Sequence, residues 1–215
     1  MQQIVTPFVP FPNIYWWFAM AGSNSVLFDA KEHFVKMSYR NRYYITGANG
    51  LIQLSVPLAR GRDQRTAMEN VLIDNTERWQ INHWRTIVSV YGRAPYFEHY
   101  GPLLEQLFHT RYDKLVAFNR ASIDWLQKQS GIIFEIEPAT EYKKYDEDVT
   151  DLRANFKPYM EKTALSGTDA WYYQLFSERN GFYPNLSLLD LLFSEGPAVK
   201  QVLKQHKAII EGYRQ

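Results

Sequence analysis

The 215-residue sequence predicts an α/β fold: a mixed sheet opened by an N-terminal strand–helix–strand unit, with flanking helices and a C-terminal helical subregion. Three observations carry that expectation. A strand-like run from Ile4 to Val9 leads through Pro7, Pro10 and Pro12 into an apolar helix and then a second strand. Asn49-Gly50 marks a hairpin between two further strand-like runs. From Glu77 onward apolar residues recur at helical spacing.

Taken in order, Asn13 is placed to cap a helix over Ile14 to Ala21, which Gly22 closes. Ser25 to Asp29 reads as the second strand, joined to the first by a right-handed crossover. A proline loop that runs into a helix start can expose free backbone N–H groups to an anion, and it is also an ordinary strand–helix connection. Lys36 to Arg42 reads as extended, and the strand over Tyr43 to Thr46 pairs across Asn49-Gly50 with Leu51 to Pro57.

The run Arg60-Gly61-Arg62-Asp63-Gln64-Arg65 reads as a solvated loop whose arginines also suit phosphate. After Glu77, Ile81, Trp84, Val88 and Tyr91 share one helix face, and Gly92 and Pro95 end the element. Leu103, Leu104, Leu107 and Phe108 indicate a second helix, and Leu115 through Leu126 a third that stops at Ser130-Gly131. Ile132 to Pro138 reads as a short returning strand, and the charged stretch from Glu141 to Asp151 as a loop or hinge. Leu186 to Phe193 is apolar on nearly every side and so belongs to a buried helix, with Ser187 and Asp190 at capping-box spacing. Beyond Gly196-Pro197 a final helix turns Val199, Val202, Leu203, Ile209, Ile210 and Tyr213 inward. The expectation is one domain over 1–215, with a core over 1–140 and a mostly helical part over 141–215.

Composition narrows the chemistry. A net charge of +1 gives no global field for nucleic acid or an anionic membrane, so anion recognition must be local. With no cysteine, disulfides, thiolate metal sites and a cysteine nucleophile are excluded. No run approaches a membrane span, and the N-terminus lacks a signal-peptide pattern, so the expectation is a soluble cytoplasmic protein. Aromatic residues reach 16%, more than stacking on ligands needs, which assigns most of them to the core. The glycines are scattered singly, the Gly-x-Ser-x-Gly elbow is missing and no two histidines stand at the spacing of a helical zinc site, so no metal site is indicated and the cofactor is unknown from the sequence.

The most informative stretch is Lys36-Met37-Ser38-Tyr39-Arg40-Asn41-Arg42. If it is extended, Lys36, Ser38, Arg40 and Arg42 share one face, and the end cations stand about 20 Å apart at roughly 3.3 Å per residue. That spacing suits an extended anionic ligand, and the arginine forks match phosphate or carboxylate. The same charges also suit a sheet edge protected from aggregation. For acid–base work the candidates are His83, beside Trp84, and Asp29 with Glu32 just ahead of the cations. Each has a plainer alternative: a packed histidine, and simple charge balance for the carboxylates.

The chain resembles the WbqC-like proteins, a bacterial family associated with O-antigen and other surface-polysaccharide gene clusters. The resemblance covers nearly the whole chain. It rests on Pro10-Phe11-Pro12 with Tyr15 and Trp16, Lys36 with Tyr39-Arg40-Asn41-Arg42, Ala48-Asn49-Gly50, His83-Trp84-Arg85 with Ser89 and Tyr91-Gly92, Tyr96-Phe97-Glu98 with Tyr100, and Pro184-Asn185-Leu186-Ser187 through Asp190 to Gly196-Pro197. Met37 stands where the family usually has glutamine. The resemblance implies transfer of an acyl, aminoacyl or glycosyl group onto a sugar, from or to a nucleotide-activated or phosphate-bearing substrate. In that reading Lys36, Arg40 and Arg42 hold phosphate, Asn41, Tyr15 and Asn185 orient the ligand, His83 is the base, and Asp29 or Glu32 is a proton or hydroxyl partner. The partner is then a small anionic molecule such as a nucleotide sugar or acyl donor, and a homodimer is compatible. The rival class is a noncatalytic module that binds an anionic intermediate or a partner protein.

Overall fold

The computed structural model describes residues 3–59, 66–146, 148–155 and 170–212. The arginine run 60–65, Tyr213 and the side chain of Ile210 lie outside those residues. Strand β1 (Gln3–Pro7) leads through the proline loop into helix α1 (Ile14–Met20) and strand β2 (Ser25–Asp29), which runs parallel to β1 with Val5 opposite Leu27. Asn13 caps α1 as expected, its Oδ1 accepting from Trp16 N at 2.9 Å. Strands β5 (Glu135–Pro138) and β6 (Val149–Asp151) add parallel neighbours on either side, giving the order β5-β2-β1-β6.

Parallel and antiparallel pairing sit in separate sheets. Strands β3 (Arg42–Gly47) and β4 (Gly50–Ser55) form the antiparallel hairpin, with Gly47 opposite Gly50. Neither Ala48 nor Asn49 has a positive φ, whereas Gly50 sits at φ +98°. The glycine therefore follows an ordinary turn instead of occupying the mirror-image turn that Asn-Gly usually signals.

Residues 36–42 are not a strand, and this corrects the extended reading. Met37 takes φ +52°, Ser38 caps a single 3-10 turn over Tyr39–Asn41, and β3 begins only at Arg42. A turn scatters side chains that a strand would have aligned, so the cations share no face.

Helix α2 (Trp79–Tyr91) buries Trp79, His83, Ile87, Val90 and Tyr91, while Ile81 and Val88 are exposed. The buried face is thus rotated from the one apolar periodicity picked out, because the polar atoms of Trp79 and His83 find partners inside. Trp79 Nε1 donates to Asn75 Oδ1 at 3.2 Å, and His83 is bonded through both ring nitrogens. Helices α3 (Phe97–His109) and α4 (Leu115–Ser130) follow, the latter closed by Gly131 at φ +70°.

The loop expected over Glu141 to Asp151 ends in β6, which pairs Gln3 with Val149. Helix α5 (Ser177–Asn180) is one turn long, and α6 (Leu188–Glu195) is buried over nearly its whole length. Ser187 caps α6, but Asp190 does not complete a capping box: its carboxylate instead accepts from Tyr91 and Tyr172. The expected final helix is broken at His206 into α7 (Val199–Gln205) and α8 (Lys207–Gly212), with Val199 and Leu203 buried and Ile209 exposed.

The aromatic surplus fills the core. Phe8, Trp16, Phe28 and Phe134 meet with ring centroids 4.6–6.4 Å apart between the parallel sheet and α1, and Phe11, Tyr43, Phe108 and Phe118 form a second group under the hairpin. Among the described residues no helix is long and apolar enough to cross a membrane.

Candidate functional site

The carboxyl ends of β2 and β6 border a cavity of about 410 Å³. Asp29, the last residue of β2, is fully buried beneath it. Its Oδ1 accepts from the backbone N–H of Lys31 at 2.8 Å and of Glu32 at 2.9 Å, a local turn that swings the chain across the sheet edge and delivers Glu32 to the cavity wall. Glu32 takes a two-pronged ion pair from Arg40, Nε to Oε1 at 2.8 Å and Nη2 to Oε2 at 2.5 Å, with both side chains almost entirely buried.

Arg153, two residues beyond β6, locks the other side. Its Nη1 donates to Asp29 Oδ2 at 2.6 Å, its Nη2 to Asp151 Oδ2 at 2.5 Å, and its carbonyl oxygen accepts from Arg40 Nη2 at 3.2 Å. The rings of Tyr142 and Tyr145 lie 4.9 and 5.1 Å from the guanidinium, covering its faces. Five charged side chains thus form two ion-paired groups, Asp151–Arg153–Asp29 and Glu32–Arg40, linked through the Arg153 carbonyl and the Glu32 N–H.

The electrostatics follow from burial and pairing. Loss of water pushes the Glu32 carboxyl above its ordinary range, although Arg40 pulls the other way. Burial also works against Asp151, but hydrogen bonds from Arg153 hold it below the usual carboxylate range. The Asp151 bond in turn raises Arg153 above its ordinary value. Two neighbouring carboxyls at the site are thus shifted in opposite directions.

The strand order explains why the cavity is here. From β1 the chain builds outward through β2 and β5, then returns with β6 on the opposite side of β1. Loops diverge where that direction reverses, leaving a crevice outside the carboxyl ends of the strands, the usual ligand position of open parallel sheets. Lys36, Met37 and Ser38 form its outer wall. Among the described residues Lys36 has no acidic partner, and Met37 holds its positive φ on this rim.

Of the residues singled out from the sequence, Asp29, Glu32, Lys36 and Arg40 come together here. The others lie elsewhere. Asn41 joins the ends of the hairpin, its Nδ2 donating to Val56 O at 2.9 Å. Arg42 is buried on β3, with Nη1 donating to Gln53 Oε1 at 3.3 Å. Tyr15 and Asn185 do meet, but through the backbone: Asn185 Oδ1 accepts from Tyr15 N at 3.0 Å. With Ile14 N donating to Leu186 O and Trp16 N to Asn13, the start of α1 has its donors engaged inside the protein instead of offered to an anion.

His83 is buried under the hairpin between Trp79 and Tyr43 and does not line the cavity. A carbonyl only accepts, so Nε2 carries the proton and donates to Ser55 O at 3.2 Å, leaving Nδ1 to accept from Tyr43 OH at 3.1 Å. Burial lowers its pKa to about 4, so it is neutral at pH 7. This placement is that of a packed histidine, the plainer of the two alternatives offered by the sequence.

Sequence reasoning missed Asp151, Arg153 and Tyr142. Asp151 and Arg153 lie in or just beyond a three-residue strand, too short for alternation to show, and Tyr142 lies in the irregular stretch ahead of it. The available signal was the pairing of Asp151 and Arg153 two positions apart beside two tyrosines in an otherwise charged stretch.

No solved structure matches the chain. A relative described as "Uncharacterized protein Rv1507c", from Mycobacterium tuberculosis, is 26% identical over 204 residues, a match covering 83% of this chain and 87% of the relative. The model of the WbqC-like protein family matches residues 8–170, a span that carries α1, the hairpin and every charged wall of the sheet-edge cavity, and the chain therefore belongs to the WbqC-like protein family.

Proposed function

We propose that the sheet-edge cavity is the substrate cleft of a group-transfer enzyme acting on a phosphate-bearing or nucleotide-activated sugar in bacterial surface-polysaccharide biosynthesis. The observation that carries this reading is Lys36, an exposed cation without an acidic partner among the described residues, on the rim of a cavity floored by Glu32, Arg40 and Arg153. A phosphate at the rim would pair with Lys36, while the buried arginines are already committed and set the shape of the floor. Glu32, whose proton affinity is raised by burial, is the base suited to an acceptor hydroxyl or amine. In the step, the acceptor gives its proton to Glu32 and bonds to the transferred acyl, aminoacyl or glycosyl group. The bond to the leaving group breaks, and its electron pair departs with the leaving group toward Lys36.

A second reading, a noncatalytic module for an anionic intermediate or protein partner, draws on one observation: the histidine that sequence offered as base is sealed in the core. Incubation with nucleotide sugars or acyl-CoAs and a sugar acceptor, read by mass spectrometry, separates the two. The enzyme reading expects a product that Glu32→Gln abolishes while ligand binding persists. Binding with no product in any combination supports the module.

A further inference from the structure

A second recess lies on the other side of the hairpin. Two adjoining cavities, of about 470 and 690 Å³, share Ala48, Ser89, Val90 and Phe176 and together run along the outer face of α2. Arg85 stands in one, Arg93 in the other, and Ser89 lies between them. Arg85 is on α2 and Arg93 lies two residues past its end, and because Gly92 keeps α-helical φ/ψ, a continued rise of 1.5 Å per residue sets their Cα atoms about 12 Å apart. Among the described residues no acidic side chain lines either cavity, and neither arginine has an acidic partner within ion-pair distance. The opposite wall presents Tyr173, Leu175 and Phe176.

That wall is held in place before anything binds. Tyr172 and Gln174 point inward, Tyr172 OH donating to Asp190 Oδ2 at 2.9 Å and Gln174 Nε2 to Tyr183 O at 2.8 Å, so Tyr173 between them is turned outward. Asn180 Nδ2 donates to Gly47 O at 2.7 Å and ties the end of this segment to the hairpin tip. Tyr91 of α2 donates to the same Asp190 at 2.7 Å, so both walls share one buried anchor. A groove fixed in this way binds without first being ordered.

We infer that this groove binds an extended acidic peptide segment of a partner protein, with two carboxylates set about four residues apart around an apolar side chain. Four extended residues span about 13 Å, the arginine separation. The carboxylates pair with Arg85 and Arg93, and the intervening apolar side chain covers Val88 and Phe176. Arginine and tyrosine are the residues on which protein interfaces concentrate their binding energy. Small ligands bury most of their surface in enclosed pockets, whereas Arg85, Val88, Ser89, Arg93 and Tyr173 are all exposed, so the groove grips one side of a longer chain. The inference is independent of the sheet-edge cleft, because the two sites share no lining residue.

The test is selection of phage-displayed random heptapeptides on the whole immobilised protein, followed by fluorescence polarisation with the enriched peptides. The expected peptides carry two acidic residues about four apart, bind about tenfold more weakly to the Arg85→Ala/Arg93→Ala variant and weaken as salt rises. Lys36→Ala should bind them as the wild type does. Both arginines are exposed, so an unchanged melting temperature of the double variant certifies its fold. The inference is overturned if no peptide is enriched above the bare support, if the enriched peptides lack acidic residues, or if they bind the double variant equally well. Stabilisation by inorganic pyrophosphate that needs Arg85 and Arg93, with no peptide enriched, assigns the groove to a small anion and equally overturns it.

Discussion

Asp29 and Arg153, 124 positions apart, meet at 2.6 Å beneath the sheet-edge cavity. The contact joins the end of β2 to the residues just after β6 and so closes the crevice that the strand order opens. Asp29 is fully buried and has no other cationic contact among the described residues, which makes Arg153 the keystone of both the fold edge and the cleft floor.

Removing that guanidinium leaves Asp29 buried and uncompensated. Arg153→Ala is expected to lose about 3 kcal/mol of unfolding free energy, the lower end of what a broken buried ion pair costs. Urea unfolding measures this. Asp29→Asn/Arg153→Met, which removes both charges, should recover a large part of the loss, and a double variant as unstable as the single one would contradict the role given to the pair.

Two buried groups in the core act oppositely on stability as pH changes. The folded pKa of His83 is lowered from 6.5 to about 4, so over that range the unfolded chain holds the extra proton and stability falls as pH drops. Burial raises the folded pKa of Asp190 from 3.8 to about 6, against the hydrogen bonds from Tyr91 and Tyr172, so the folded chain holds the extra proton and stability falls as pH rises. Each shift corresponds to roughly 3 kcal/mol at about 1.36 kcal/mol per unit, and the windows overlap between about pH 4 and 6. His83→Gln should therefore make stability decline with rising pH across that window, and Asp190→Asn should make it increase. Denaturant titrations at several pH values check both slopes, and identical slopes in the two variants would refute the assignment.

Gly196 and Gly131 both have positive φ but differ in surroundings. A Cβ at Gly196 would run into the ring of Tyr96, whereas one at Gly131 meets open space. Gly131→Ala is expected to cost about 1 kcal/mol for backbone strain alone, and Gly196→Ala roughly 2 kcal/mol or more because strain and overlap add. Thermal unfolding of the two variants should rank them in that order.

The core α/β order was legible because its signals are local. Asn13 caps α1, Gly131 ends α4, and β2 spans the residues read as the second strand. Asp29, Glu32, Lys36 and Arg40 were also visible as a charged cluster in one short stretch. What sequence could not give was which of those charges would face a ligand. The 3-10 turn at Tyr39–Asn41 sends Arg40 inward to Glu32, and a reader of alternation has no warning of the left-handed Met37 that starts it. Arg153 was passed over for a different reason: only its Asp151 bond is local, while the contacts that tie it to Asp29 and Arg40 reach 124 and 113 residues away, and the strand that positions it is three residues long. For His83 the sequence offered both a base and a packed histidine, because helical periodicity counts only apolar residues, while the buried face of α2 includes a neutral histidine satisfied by Tyr43 and Ser55.

The most direct test of the cleft is a thermal-shift panel of nucleotides, nucleotide sugars and acyl-CoAs run on the wild type and on Lys36→Ala. Lys36 is exposed and unpaired among the described residues, so the variant should melt with the wild type when no ligand is present. A ligand at a hundred times its dissociation constant stabilises by about 2.7 kcal/mol, a shift well within reach of the method. The account predicts a phosphate-bearing hit that stabilises the wild type and is lost or strongly reduced in Lys36→Ala. Silence across the panel, or a hit that stabilises both proteins equally, would contradict it.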